Sequence, residues 1–281
     1  MTSPRGLPRI RACIFDMDGV LIDSEDLYTV AVNKILAAHG KPNLPWHIKA
    51  QLQGRPALEA TRIFHTWAQL PLSTTEYTTL LHAHHTALFP TCRPLPGVEP
   101  LLTTLATGTA PPTRIALATS SYSGTFALKT THLAHVFGNF PADCLVKGDD
   151  PRIPKGRGKP APDIFLVALR SVNEGLEKGE EAIRPEECLV FEDSVPGVEA
   201  ARRAGMQVVW VPHMGLWGEV KGREGEVLAG LTGEHVEEAE VVAETGSGGW
   251  PGKKGDAWGR RLETLEGFPF HEYGITIEER K

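Results

Sequence analysis

Asp16 and Asp18 are two carboxylates separated by one residue, directly after the apolar, β-rich run Ile10 to Phe15. Alternate residues of an extended backbone project to the same side, so both can serve one reacting centre. A carboxylate is a covalent nucleophile toward phosphorus, and a second carboxyl beside it can protonate a leaving oxygen and later take a proton from water. Two anions next to a phosphate dianion repel one another, which calls for a hard cation with oxygen ligands. Magnesium suits, because it is typically held by few carboxylates together with phosphate and water. Glu192 and Asp193, after another strand candidate, are a second source of such ligands. Thr119, Ser120 and Ser121 follow the strand candidate Arg114 to Ala118 and precede a helix. Hydroxyls and backbone N–H groups there can hold phosphate oxygens or cap the helix. Lys159, in the string GKPAPDIF, precedes a helix start stiffened by Pro160 and Pro162; taken alone, a lysine is an ordinary surface charge.

These groups act together only if a scaffold gathers the strand ends. After Gly97 the pattern alternates. Helices are expected near Val98 to Leu105, Thr125 to Leu133, Asp163 to Val172 and Val198 to Ala204, and strands at Arg114 to Ala118, Cys188 to Phe191 and Gln207 to Val211. Such alternation predicts an α/β fold with a Rossmann-like, doubly wound parallel sheet, whose ligands bind beyond the carboxyl ends of the strands. Between the first strand and the Pro-rich stretch Pro90 to Pro100, apolar residues recur at helical spacing and no strand interrupts them. The expected organisation is therefore a core of residues 1–24 and 97–281 with a helical block, 25–96, inserted after the first carboxylates. The stretch 215–259 holds 12 of the 29 glycines and reads as a loop-rich, partly mobile excursion.

The 281 residues carry a formal charge of −6, with 41% apolar and 23% charged residues. No global positive field exists to hold a nucleic-acid polymer or an anionic membrane, so a small phosphorylated metabolite is the expected partner. Cys13, Cys92, Cys144 and Cys188 are scattered without a Cys-x-x-Cys pair, which argues against zinc and for buried thiols in a reducing, cytoplasmic setting. No long apolar run suggests a signal peptide or a membrane span. The expected state is a monomer or weak homodimer. His82 and His85 share a helix face by spacing, as do His132 and His135, and both pairs read as solvated faces. The acidic run Glu234 to Glu244 reads likewise. No phosphate-binding Gly-x-x-x-x-Gly-Lys-Ser/Thr loop, dinucleotide fingerprint or His-Glu-x-x-His motif is present.

Four strings in order, FDMDGVLIDSE, ALATSS, GKPAPDIF and VFEDSVPGVEAARRAGM, resemble the motifs of the haloacid-dehalogenase-like phosphohydrolases. The resemblance runs from Ile10 to about Pro212. It implies that Asp16 is the nucleophile forming an aspartyl-phosphate and Asp18 the general acid and base. Thr119 and the backbone after it, including Ser120, would bind the transferring phosphoryl group, with Lys159 neutralising charge. Asp16, the Asp18 carbonyl and Asp193 would hold Mg2+, with Glu192 a further candidate. The helical block matches the family's small cap, and Arg55 in GRPALEA stands where related caps face substrate. Finer resemblance, in GRPALEA, LFPTCRPLPGVEPLL, ATSSYSGTFALKT and GDDP, points to the pseudouridine-5'-phosphatase-like branch, within the β-phosphoglucomutase-like group. Departures are the 215–259 excursion and the acidic piece Asn173 to Arg184. The resemblance implies a Mg-dependent phosphatase of a small monoester: nucleotide-like, sugar or glycerol phosphate, with pseudouridine 5'-phosphate as the branch-level substrate. The alternatives are a sugar phosphomutase and a catalytically silent binding protein.

Overall fold

The structure, a computed structural model, describes residues 2–55, 57–233 and 252–278. Strand β1 (Ala12–Phe15) is followed by four helices, α1 (Ser24–Ala38), α2 (Trp46–Leu52), α3 (Ala57–Ala68) and α4 (Thr74–Leu88). Alternation then sets in: α5 (Val98–Thr107), β2 (Arg114–Ala118), α6 (Ser123–Thr130), α7 (Ala134–Phe137), β3 (Leu145–Val146), α8 (Asp163–Glu174), β4 (Cys188–Glu192), α9 (Val195–Arg203) and β5 (Gln207–Trp210). Helices α10 (Met214–Val220) and α11 (Glu224–Ala229) and strand β6 (Gly259–Arg261) complete the described elements.

All six strands are parallel, in the order β3-β2-β1-β4-β5-β6. The chain moves outward from β1 to β3, then returns to the other side of β1 for β4, so the β1/β4 pair is the switch in strand order where ligands bind in such sheets. Phe15 lies beside Phe191 in register, and Asp16 donates its backbone N–H to the Phe191 carbonyl at 2.9 Å. The two carboxylate-bearing strand ends therefore finish together.

Alternate strand residues feed two cores. Cys13, Phe15, Leu117, Phe191 and Val209 face a layer with α5 and the C-terminal Leu265, Phe268 and Tyr273. Ile14, Ala116, Val190, Val208 and Trp210 face α8, α9, α10 and α11. A sheet covered on both faces explains why these strands read as continuous apolar runs. The rings of Phe15 and Phe191 stack at 4.3 Å with no exposed surface. Phe191→Ala should therefore cost about 3–5 kcal/mol, read as a lowered urea midpoint with an unchanged slope.

A third core, around Leu36, Phe64, Ala68 and Tyr77, holds the helices α1 to α4 together. The 215–259 stretch corrects the expectation of a loop-rich excursion at its described residues. It begins with α10 and α11, whose Leu216, Val220 and Val227 are core residues, and it ends at β6, the sheet's edge. Its glycines had hidden these short elements. Gly215 allows α10 to meet α2, because a Cβ there would collide with the Trp46 indole. Glu234 to Glu244 lie outside the described residues. All four cysteines are buried free thiols. No described helix is long and apolar enough to cross a membrane.

Candidate active site

Asp16 leaves β1 and Asp193 leaves β4, and both line one cavity of about 370 Å³ between the strand ends and α1 to α4. Gly19 makes this approach possible. Its φ of 75° is a left-handed conformation, and a Cβ would strike the Asp193 carboxylate. Ser194 caps α9 by accepting from Gly197 N–H at 3.1 Å, which sets the direction of the turn that carries Asp193.

Lys159, 1% exposed, sits between two carboxylates: it donates to Asp16 and, at 2.5 Å, to Glu192 Oε1. The surface-charge reading of this lysine is thus replaced by a fully buried clamp. Glu192 spends its second oxygen on the Asp193 and Ser194 backbone N–H groups and the Ser194 hydroxyl, each at 3.0 Å, so protein donors already occupy it. Asp18 is held by Ser24 and Lys129 at Oδ1 and by the Ser121 hydroxyl at Oδ2, 2.7 Å away. Lys129 is wholly buried and also donates to Ser121 Oγ at 2.9 Å and to Tyr28 Oη at 2.8 Å. Ser121, whose hydroxyl was expected to hold phosphate or cap a helix, donates to Asp18 instead, and Ser24 and Lys129 had no role assigned from sequence. Lys129 in particular lies in the plain helical string FALKT, and only its placement on the inner face of α6 gives it one.

Thr119 is fully buried, and its hydroxyl accepts from Ser121 N–H at 3.1 Å; Ser120 and Ser121 line the cavity. Arg55 lines it too, with its guanidinium donating to the Gln51 carbonyl at 2.8 Å and to Glu59 at 3.0 Å. His85 corrects the solvated-face expectation. Its ring stacks on Phe89 at 4.2 Å and meets Tyr28 edge-on at 5.0 Å. Burial, helped by the Lys129 charge, pulls its pKa down to about 3, so the imidazole is neutral. Packing against α1 overrode the helix pattern. His132 and His135 are exposed.

Among the described side chains at the site, five carboxylates, Asp16, Asp18, Glu25, Glu192 and Asp193, meet three ammonium groups, Lys49, Lys129 and Lys159. Lys49 pairs with Glu25 at 3.3 Å. Among the described residues Asp193 has no ion pair, and only the Gln53 amide donates to its Oδ2. Burial pushes the Asp16 carboxyl up to about 8, Lys159 opposing and Glu192 and Asp18 adding to the rise. Asp193 is raised well above the carboxylate range by burial and by Glu25, Glu192 and Asp16. Burial acts on Asp18 in the same direction, but Lys129 and its hydroxyl donors outweigh it and hold that carboxyl low. With every carboxyl ionised, two negative charges would be left over in this buried site, and the raised proton affinity of Asp16 and Asp193 is the mark of that excess. A divalent hard cation fits that deficit. No three His, Cys, Asp or Glu side chains form a closed metal cage among the described residues. Magnesium needs none, since one or two carboxylates, water and a substrate phosphate complete its shell.

Residues 10–205 match the family described as haloacid dehalogenase-like hydrolase. A probable pseudouridine-5'-phosphatase of Saccharomyces cerevisiae is 43% identical over 228 residues, covering 79% of this chain and 93% of that protein. A mitochondrial (DL)-glycerol-3-phosphatase of Arabidopsis thaliana is 37% identical, covering 80% and 72%. Among solved structures, a putative β-phosphoglucomutase from Thermotoga maritima superposes with a TM-score of 0.54 at 29% identity, over 78% of this chain and 97% of that one.

Proposed function

The chain belongs to the haloacid dehalogenase-like hydrolases and is a hydrolase of phosphate monoesters, and from that premise we propose that it is a Mg-dependent phosphatase acting on a ring-bearing monoester through an aspartyl-phosphate at Asp16. The observation that carries this reading is the charge deficit around Asp16 and Asp193. A magnesium ion held by Asp16, Asp193 and the Asp18 carbonyl would offset it and neutralise phosphate charge. Asp16 attacks phosphorus as the ester P–O bond breaks, and the Asp18 proton goes to the leaving oxygen. Asp18 then takes a proton from the water that attacks phosphorus, and the Asp16 carboxylate is released with inorganic phosphate. A bound phosphate dianion beside Asp18 raises that carboxyl's proton affinity by like-charge repulsion, which suits the acid role. Lys159 stands where it can meet a phosphoryl oxygen beside Asp16, and the Ser120 backbone N–H offers a further donor, the Ser121 N–H and hydroxyl being engaged by Thr119 and Asp18.

Helices α1 to α4 act in this reading as a cap that shapes the leaving-group chamber and excludes water. Its walls are mostly apolar and carry the rings of Tyr28, Phe64, Tyr77, His85 and Tyr122. Rings and about 370 Å³ favour a nucleoside-type leaving group, as in pseudouridine 5'-phosphate, over glycerol. A mutase must hold a second phosphate. The cap's lining cations, Lys49 and Arg55, are already paired with Glu25 and Glu59.

The test is phosphate release across a panel of monophosphates, with and without magnesium. Release should require the metal, and nucleoside monophosphates should exceed glycerol 3-phosphate by about tenfold in kcat/KM, the worth of roughly 1–3 kcal/mol of apolar contact. A preference for glycerol 3-phosphate would overturn the substrate assignment. Release undiminished by chelation would overturn the metal.

A further inference from the structure

Lys129 is the most fully enclosed cation at the site that the reaction scheme leaves unused. Its ammonium has no exposed surface, and it lies 4.5 Å from the centre of the Tyr28 ring and 4.8 Å from that of Phe89. Its three hydrogen-bond acceptors are Asp18 Oδ1, Ser121 Oγ and Tyr28 Oη. Burying an ammonium is expensive unless it is paired and hydrogen-bonded, and this one spends its contacts on a single carboxylate and the groups around it. The arrangement is also closed. Ser121 Oγ accepts a hydrogen bond from Lys129 and its hydroxyl donates to Asp18 Oδ2, while Ser24 donates to Oδ1. Both oxygens of Asp18 are therefore held from the side of α1 and α6.

We propose that Lys129 is a positioning residue for leaving-group protonation: together with Ser121 and Ser24 it fixes the Asp18 carboxyl toward the ester oxygen. The inference rests on the phosphatase reading above and adds a residue and a division of labour to it. Two buried lysines serve two aspartates, Lys159 on the attacking side and Lys129 on the leaving-group side. A serine or threonine holding Asp18 could be replaced by water, whereas the buried ammonium cannot leave its box without breaking contacts to three elements. Lys129 does not line the cavity and reaches it through Asp18, so its effect must pass through that carboxyl.

The dependence on leaving group separates this role from a merely structural one. An alkyl monoester needs its oxygen protonated as it departs, whereas 4-nitrophenolate leaves without help. The specificity constant kcat/KM reports the steps through formation of the aspartyl-phosphate, before Asp18 is needed as a base. Lys129→Met should lower kcat/KM by about 10²-fold for the alkyl monoester that the wild type turns over fastest, the size of a general-acid contribution. The loss on 4-nitrophenyl phosphate should be at least tenfold smaller, and circular dichroism should show a folded chain. Lys129→Gln, which keeps a donor of similar length without the charge, should give the same pattern with a smaller alkyl loss, and it serves if the methionine variant does not fold. Equal losses on the two substrates, or a rise in alkyl turnover, would overturn the positioning role while leaving the phosphatase reading intact. A wild-type chain that releases phosphate from neither substrate overturns both.

Discussion

Asp16→Asn is expected to remove phosphate release while leaving the fold at least as stable as before. The carboxamide has nearly the shape of the carboxylate but is no nucleophile toward phosphorus, so the covalent route closes. A loss on the order of 10⁴-fold or more in kcat is the usual size when a nucleophile is deleted. Lys159 keeps Glu192 as a partner at 2.5 Å, so the substitution strands no buried ammonium. The loss therefore reports chemistry and not collapse. The check is phosphate release at saturating substrate with magnesium, run beside thermal unfolding of the same samples. Residual activity within about tenfold of wild type would remove Asp16 from the nucleophile's role.

The same carboxylate makes the metal-free chain sensitive to pH. Folding raises the proton affinity of Asp16 from the ordinary 3.8 to about 8. Between these values the folded chain binds a proton that the unfolded chain does not, so stability is greatest near the acid end and falls as pH rises toward about 8, with a limiting slope of about 1.4 kcal/mol per pH unit for one proton. Asp193 and Glu25, raised mainly by burial, add in the same direction. Asp18 does not, because its carboxyl is held low and gives way only in stronger acid. Magnesium needs ionised carboxylates, so its stabilisation should be small near pH 5 and several degrees in melting temperature near pH 8. Asp16→Asn should flatten the metal-free profile and raise the melting temperature at pH 8. Melting curves in chelator and in magnesium at both pH values decide the matter. A metal-free profile that climbs from pH 5 to 8 would contradict the buried-charge account.

Much of this was legible along the chain. Parallel strands buried on both faces must be continuously apolar, which is why Ile10 to Phe15, Arg114 to Ala118 and Cys188 to Phe191 announced themselves. In a sheet of that kind the polar residues just past the strands must converge, so Asp16, Asp18, Ser120 and Asp193 could be named before any coordinates. The short edge strands Leu145–Val146 and Gly259–Arg261 carried no such signal; two or three residues show no period, and their pairing is decided by neighbours. The helices within 215–259 were masked for a similar reason, since glycine lowers helix propensity while leaving the apolar contacts of Leu216 and Val220 free to form.

By itself the sequence determined the α/β architecture and the carboxylates that can act on phosphorus, because strand periodicity and the residues that follow a strand are local properties. Only the tertiary structure decided how the cations divide among the carboxylates: Lys159, which the family resemblance already set beside Asp16, also clamps Glu192, Lys129 serves Asp18, Lys49 serves Glu25, and among the described residues none serves Asp193. Those pairings join residues 24 to 143 positions apart, and whether a lysine faces water or a buried carboxylate depends on how the helices pack around it. The energy that makes such a pairing matter comes from burial, which is a property of the assembled fold and not of the chain.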